Sequence, residues 1–376
     1  MKKANVLHII ESLSPYGGTP RKLLYLARNI DKNRYHMVVA AFQIDSAMEN
    51  QFENAGARII ALKDRKTWDV FTIRDICSLI KHYRIVLVNT HFIRPNIYGR
   101  IAAIACGIPA IVNEHGLPRN GKPIARAMDN VLGLFTGKII CNSHAVLREA
   151  KRDLFIRRAN FEVVQNGIDV QLFLEDRSKD IRELRKKLGI SPSDIVIANV
   201  SGFIPIRNHK TLIHAFAHIH QQCPRTRLLL VGDGPLRMEL TDLSKELGIE
   251  SSIHFTGYRN DVPSILRLAH IYVDPTIVAG GFGFNVMEAM LSGLPVIAAS
   301  AGVPPDDIVR HNVDGILVPP RNPASMAEAV ERLIRDGGER KRLGQAGRRK
   351  VLENYTAEMF VENICRVYNE ALGMAP

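Results

Sequence analysis

The sequence predicts an α/β protein of two Rossmann-like, doubly wound domains, each a parallel sheet with helices on both faces. Three observations lead there. Short β-branched or aliphatic runs alternate almost throughout with longer stretches whose apolar residues recur every three or four positions. Such alternation builds parallel sheets covered by helices. The runs fall into two series of about six, parted by the polar, highly charged stretch 171–190, and 376 residues exceed the length at which one core keeps growing.

Taken in order, strands are expected at residues 6–10, 36–41, 58–61, 85–89, 110–113 and 138–141. A second set is expected at 195–200, 227–231, 253–255, 271–273, 296–298 and 315–318. Helical patterns at 20–29, 73–83, 97–106, 210–220 and 236–247 lie between them, and another fills 357–372. The opening run is only five residues, carries His8 and is soon followed by Glu11 and Pro15-Tyr16-Gly17-Gly18; it suits a first strand better than a signal peptide. The domains are then residues 1–175 and 190–355, with 171–190 as linker and Ser191-Pro192 opening the second series. In open α/β sheets ligands sit beyond the carboxyl ends of the strands. With two such domains, the cleft between them is the natural site.

Apolar content of 46% and charged content of 23% are those of a soluble globular chain, and no run of about 18 uncharged apolar residues exists to span a membrane. Five scattered cysteines without a Cys-x-x-Cys pair, each in apolar context, read as buried free thiols and point to a reducing cytosol. The net charge of +12 is uneven. Residues 1–170 hold 25 Lys/Arg against 14 Asp/Glu, a net of +11, and the remainder hold 25 against 24, a net of +1. The basic half, densest at Lys63-Asp64-Arg65-Lys66, Lys151-Arg152 and Arg157-Arg158, suits a nucleic acid, an anionic membrane or an anionic substrate, or is simply solvated surface. Nucleic acid is the weakest of these, because aromatics are 6% and do not interleave with the basic runs.

The most informative stretch is Gly281-Phe282-Gly283-Phe284-Asn285-Val286-Met287-Glu288-Ala289-Met290, followed by Ser292-Gly293-Leu294-Pro295-Val296-Ile297. Glycines ahead of a helix let an anion approach unpaired N–H groups at the positive end of the helix dipole. Glu288, one turn deeper on the face of Phe284, can accept hydrogen bonds from sugar hydroxyls. The simpler reading is an ordinary turn with a solvated glutamate. Gly17-Gly18 after the first strand is either a tight turn or a second substrate-facing loop. His115, in Asn113-Glu114-His115-Gly116 at a strand end, suits proton transfer or a hydrogen bond to a hydroxyl, or is structural. Asn166-Gly167 reads first as a turn. Arg207 and Lys210, after Ser201-Gly202-Phe203, are placed to neutralise a diphosphate. Positive charge at a helix start opposes the dipole, so a nearby anion would explain it. Val231-Gly232-Asp233-Gly234-Pro235 begins a dinucleotide fingerprint that Arg237 leaves incomplete. No zinc spacing, nucleophile elbow, Walker lysine or spaced Asp-x-Asp is present.

In order and spacing these elements resemble the retaining glycosyltransferases of family 4, which have the GT-B fold. The resemblance also takes in Asn166-Gly167-Ile168-Asp169, Phe255-Thr256-Gly257-Tyr258 and Gly315-Ile316-Leu317-Val318-Pro319-Pro320, and it covers nearly the whole chain. It implies that the last helix, about 357–376, packs back on the first domain. It implies a nucleoside-diphosphate sugar as donor, with Gly281, Gly283 and the N–H groups of Phe284 and Asn285 at the distal phosphate. Glu288 would hold the ribose, Arg207 and Lys210 the diphosphate, and Tyr258 and Arg259 the border of the base. Gly18 and His115 would face the transferred sugar, and Gly17 and His115 the acceptor. The leaving phosphate would help to deprotonate that acceptor, with no cofactor and no metal.

Two positions depart from the family. Gly280 stands where the first glutamate of its paired-glutamate motif is expected, and Gly202 where an arginine is expected. Arg207 stands where lysine is usual. A charged hydrogen bond lost from such a site is worth roughly 1.5–3 kcal/mol. The expectation is a cytoplasmic hexosyltransferase, peripheral on an anionic membrane that carries a glycan or lipid-linked acceptor for cell-surface polysaccharide or lipopolysaccharide. The second reading is a catalytically impaired paralogue that binds a nucleotide sugar or a partner transferase. A GT-B epimerase is disfavoured, since its acid/base carboxylates are not evident.

Overall fold

The structure, a computed structural model, describes residues 3–15, 17–65, 69–116, 123–154, 161–175, 177–277, 283–300 and 305–375. It divides into two compact units, residues 1–168 with 357–376, and residues 169–356.

Unit 1 runs β1 (Ala4–Leu13), α1 (Gly18–Asn29), β2 (Tyr35–Ile44), α2 (Ser46–Asn54), β3 (Arg58–Ala61), α3 (Val70–His82), β4 (Ile85–His91) and α4 (Ile93–Cys106). It continues with β5 (Ala110–Glu114), α5 (Pro123–Gly133), β6 (Lys138–Cys141), α6 (His144–Asp153) and β7 (Phe161–Val163). The strands form one parallel sheet in the order β3-β2-β1-β4-β5-β6-β7. Alternation along β1 feeds both layers: Val6 and Ile10 join the core under α1, while Leu7 and Ile9 join the one under α3 and α4. A seventh strand, β7, was not expected; at three residues it is too short to carry a period.

Unit 2 begins with α7 (Ser178–Lys187), inside the stretch expected as linker. Only Leu184 of α7 is buried, so its sequence shows charge without an apolar stripe. Then follow β8 (Ile195–Val200), α8 (His209–Gln222), β9 (Thr226–Val231), α9 (Arg237–Glu246), β10 (Ile253–Gly257), α10 (Val262–Leu268), β11 (Ile271–Asp274) and α11 (Phe284–Leu291). The unit closes with β12 (Val296–Ala299), α12 (Pro305–Ile308), β13 (Ile316–Val318), α13 (Pro323–Arg335) and α14 (Gly337–Asn354). Its parallel sheet has the order β10-β9-β8-β11-β12-β13. Leu212, Ile213, Phe216 and Ile219 of α8 and Met326, Val330 and Leu333 of α13 cover one face, at helical spacing.

The last helix, α15 (Ala357–Leu372), belongs to unit 1. Phe360, Val361, Ile364, Val367 and Tyr368 form one stripe on it, buried with α1 and β2 in a single core. None of the five cysteines is in a disulfide, yet only Cys141 is buried; Cys77, Cys106, Cys223 and Cys365 are half-buried, which corrects the expectation of five buried thiols. Among the described residues no helix is long and apolar enough to cross a membrane.

Candidate functional site

Strand order in unit 2 reverses between β8 and β11, so a crevice opens where their carboxyl ends diverge. β8 leads through residues 201–208 into α8, and β11 leads towards α11. Gly280, Gly281 and Phe282 lie outside the described residues. Gly283 is the residue before α11 and has no side chain of its own with which to cap the helix. A Cβ on Gly283 would stand 3.0 Å from Ile308 Cδ1 and 3.3 Å from Val286 Cβ, so a larger residue would crowd this entry. The first turn carries no carboxylate. A helix N-terminus with no acid in its first turn keeps a partial positive charge that favours an anion.

The surrounding side chains fix that terminus in place. Asn285 donates its amide to the Val200 carbonyl, tying α11 to the end of β8. Tyr272 donates its hydroxyl to the same carbonyl at 3.4 Å. Glu288 is buried, at 2% exposure, and Phe284 at 8%. Burial first, then the Asp274 carboxylate, raise the Tyr272 hydroxyl well above its usual range; Glu288 adds to this, while Arg207 opposes it. Arg207, Asp274 and Glu288 therefore share one electrostatic neighbourhood around Tyr272. Arg207 itself lies in the turn before α8, half-buried, and donates from Nη1 to Thr276 Oγ1 at 3.3 Å. Thr276 in turn bonds Asp274, its N–H donating at 3.1 Å and its hydroxyl to the same oxygen.

Beneath the 201–203 loop, His209 is a neutral brace. Its Nε2 lies 3.1 Å from Asn199 Oδ1, which can only accept, so Nε2 carries the proton. Ser201 donates to that oxygen at 2.8 Å, and burial, then Arg207, hold the imidazole down at about 4. The 231–235 segment is glycine-rich for packing. A Cβ on Gly232, at φ +138, would fall 2.2 Å from Ser201 O. Gly202, by contrast, has room: its Cβ would meet only Asp233 O, at 3.6 Å.

Two expected cations are already engaged by the protein. Lys210 is exposed and paired with Glu239 of α9, which supplies the anion its place at a helix start required. Arg259 forms a fork with Asp261, Nε–Oδ1 being 2.7 Å, and that bond holds its guanidinium above its usual range. Tyr258 is half exposed and donates to Asp233 O at 3.2 Å. Phe284, Asn285, Glu288 and Arg207 thus come together at the switch point, while Lys210 and Arg259 are tied to carboxylates of their own unit.

In unit 1 the order reverses between β1 and β4. Gly17, the residue before α1, has no side-chain cap, and Gly18 opens the helix. A Cβ on Gly17 would press on Pro20 Cδ at 2.9 Å. Past β5, His115 is buried and is not solitary: its Nε2 lies 3.3 Å from His91 Nδ1, and His91 Nε2 lies 3.2 Å from His8 Nδ1. His8 Nε2 lies 3.0 Å from the Tyr368 hydroxyl on α15. Burial, then the charge of Lys22, bring His8 down to about 3. His91 and His115 are held well below their usual value by burial first, with Lys22 contributing to both and the neighbouring histidines to His91. Lys22 is itself buried, which lowers it to about 7, and its Nζ lies 5.7 Å from the Phe360 ring centre. Phe92, between β4 and α4, has φ 74 and ψ 167, a region ordinarily reserved for glycine that costs about 1–3 kcal/mol. Its ring centre is 4.8 Å from that of His115.

Sequence reasoning missed His8, Lys22, His91, Phe92 and Tyr368. The signal for His91 was its place at the end of a strand run. His8 joins it only through the β1–β4 register, which sets His8 opposite Asn89.

Residues 180–350 match the family Glycosyl transferases group 1, and residues 16–172 match Glycosyltransferase Family 4. N-acetyl-alpha-D-glucosaminyl L-malate synthase of Bacillus anthracis is 27% identical over 230 residues, 61% of this chain and 58% of that protein. UDP-Gal:alpha-D-GlcNAc-diphosphoundecaprenol alpha-1,3-galactosyltransferase of Escherichia coli is 26% identical over 285 residues, 71% of this chain and 73% of that protein. Among solved structures, Anabaena HepE, seen with UDP and glucose, superposes with a TM-score of 0.87 at 22% identity, over 97% of this chain and 99% of that one. The two parallel-sheet units therefore have the GT-B architecture.

Proposed function

We propose, for a chain that belongs to the glycosyltransferases of group 1 and family 4, the transfer of a hexose from a nucleoside-diphosphate sugar to a glycan or lipid-linked acceptor, with retention at the anomeric carbon. The observation that carries this is the α11 N-terminus. Its N-cap is a glycine and its first turn holds no acid, and it stands at the sheet's switch point with Glu288 and Arg207 in one electrostatic neighbourhood. The N–H groups of Phe284 and Asn285 receive the distal phosphate, and Glu288 the ribose hydroxyls. Arg207 and the helix dipole stabilise the charge that grows on the departing diphosphate. No metal is needed for that charge. Gly17, Gly18 and His115 are the unit 1 groups for the sugar and acceptor. Support for the donor class comes from Anabaena HepE, solved with UDP and with UDP-glucose, and for the acceptor class from the diphosphoundecaprenol substrate of the E. coli relative. The +11 charge of residues 1–170 suits docking on the cytoplasmic face of an anionic membrane bearing such an acceptor.

The second reading, a binding paralogue without turnover, is favoured by Gly202 and Gly280. One experiment separates them. The purified chain is offered UDP-, GDP- and ADP-sugars with a lipid extract, with and without EDTA, and release of nucleoside diphosphate is followed. Release that survives EDTA supports transfer. Thermal stabilisation by a nucleotide sugar without release supports the paralogue. Neither effect with any donor removes the nucleotide-sugar reading.

A further inference from the structure

The hydrogen-bond chain behind His115 has a direction, and a backbone carbonyl sets it. Asn113 donates through Nδ2 to Thr90 O at 3.4 Å; a carbonyl only accepts, so that atom is the amide nitrogen. The same Nδ2 donates to Asn89 Oδ1, which leaves Asn89 Nδ2 to donate to the Tyr368 hydroxyl at 2.9 Å. The Tyr368 oxygen is thereby an acceptor towards Asn89, and its own proton has His8 Nε2, at 3.0 Å, as its neighbour. His8 Nε2 then accepts, so His8 carries its proton on Nδ1 and donates to His91 Nε2. His91 likewise carries its proton on Nδ1 and donates to His115 Nε2. Running the chain backwards would leave a wholly buried tyrosine O–H without an acceptor, the costly arrangement for a polar group away from water. Burial keeps all three imidazoles neutral near pH 7, so each has one proton to place.

We infer that Asn89, Tyr368, His8 and His91 are positioning residues that fix His115 in the Nδ1-protonated form, making it a hydrogen-bond donor at the carboxyl edge of the unit 1 sheet rather than a base. This deepens the glycosyltransferase reading and rests on it for the recipient of that bond, an oxygen of the sugar or of its acceptor. A proton acceptor at this place would need a bare Nδ1, and the relay removes it. Proton removal from the acceptor hydroxyl then falls to the departing phosphate oxygen, which gains that proton as the anomeric C–O bond to it breaks and the new glycosidic bond forms. The strained Phe92 backbone, which brings its ring onto the His115 ring, serves the same fixation from the other side.

The test is long-range ¹H–¹⁵N spectroscopy of the imidazoles in the full-length chain near pH 7.5, without substrate. His115 is expected to show a protonated Nδ1 and a bare Nε2. Tyr368→Phe keeps the ring and removes the donor, and should move His115 to a mixture of tautomers. UDP release from UDP-glucose, followed in parallel, should slow by about tenfold, the size of one lost hydrogen bond, with affinity for UDP unchanged. Because Tyr368→Phe can also loosen α15, His91→Gln and His91→Leu form a second pair. Glutamine can accept from His8 and donate to His115, so it should keep the wild-type tautomer, whereas leucine should lose it. A bare Nδ1 on His115 in the wild type, or a tautomer indifferent to both Tyr368→Phe and His91→Leu, overturns the inference. Absence of UDP release from every variant bears on the proposed function and leaves the spectroscopic result to decide the relay.

Discussion

Mild acid should weaken unit 1 more than unit 2, by an amount that follows from its buried histidines. His8, His91 and His115 are neutral in the folded chain because burial excludes the charged form, and His8 is brought down to about 3. In the unfolded chain each titrates near 6.5. Below that value the unfolded state binds protons the folded state refuses, so stability falls as pH falls through 6.5 and rises as pH rises. Between pH 7.5 and 5.5 each histidine contributes the equivalent of about one pKa unit, and three together cost unit 1 roughly 4 kcal/mol. Among the described residues of unit 2, His209 is lowered to about 4 and loses about 1 kcal/mol over the same interval, and the partly buried His220, His254 and His270, lowered less, add a smaller loss in the same sense. Lys22 works in the same sense at higher pH: neutral above about 7 when folded, it returns stability as pH rises from 7 towards its unfolded value. A difference of this size is a large share of the 5–15 kcal/mol typical of a whole domain. Scanning calorimetry at pH 7.5 and 5.5, with limited proteolysis at each temperature to show which unit opens, should find unit 1 melting first at pH 5.5. Unfolding enthalpies of the whole chain in buffers of different ionisation heat should give uptake of at least about four protons at that pH. Equal destabilisation of the two units, or uptake near zero, would refute the reasoning.

Three further outcomes follow from the site. Arg207→Ala should weaken binding of a nucleoside diphosphate by at least about tenfold, a charged hydrogen bond being worth roughly 1.5–3 kcal/mol, while leaving the bare nucleoside unaffected; calorimetric titration with UDP and uridine checks this. Glu288→Ala should reduce donor affinity more than His115→Ala does, because the ribose contact belongs to the ground state; the opposite order counts against the assigned roles. Gly202→Arg should raise both affinity and turnover. Its Cβ site is open and its φ is not left-handed, so the substitution restores a cation without strain, and a variant no better than wild type would show that Gly202 is not where activity is limited.

Much of the fold was legible because parallel strands buried on both faces read as apolar runs. The expected and observed strands at 58–61, 138–141 and 195–200 coincide, as does the last helix, 357–372. What failed was short or unstriped: β7 has three residues, and α7 has one buried side chain beneath a charged surface. The donor-side cluster was readable because helix start, glycine and glutamate sit within six residues of one another. The cluster around His115 was not. Its members come from β1, β4, α1, α15 and the residue just past β5, and only register and tertiary packing bring residues 8, 91, 115, 22 and 368 together. Single charged residues likewise have partners that only the folded chain reveals. Lys210 reads as a cation for the diphosphate and Arg259 as a border of the base; Glu239 and Asp261, with which they pair, are recognisable as partners only in the folded chain.

The central claim is that the N-terminus of α11 grips a diphosphate through the amides of Phe284 and Asn285. A crystal structure of the chain soaked with UDP tests it most directly. The distal phosphate is expected about 3 Å from the Phe284 and Asn285 nitrogens, with the ribose hydroxyls on Glu288. UDP bound elsewhere, or a phosphate held by side chains with those two nitrogens untouched, would contradict it.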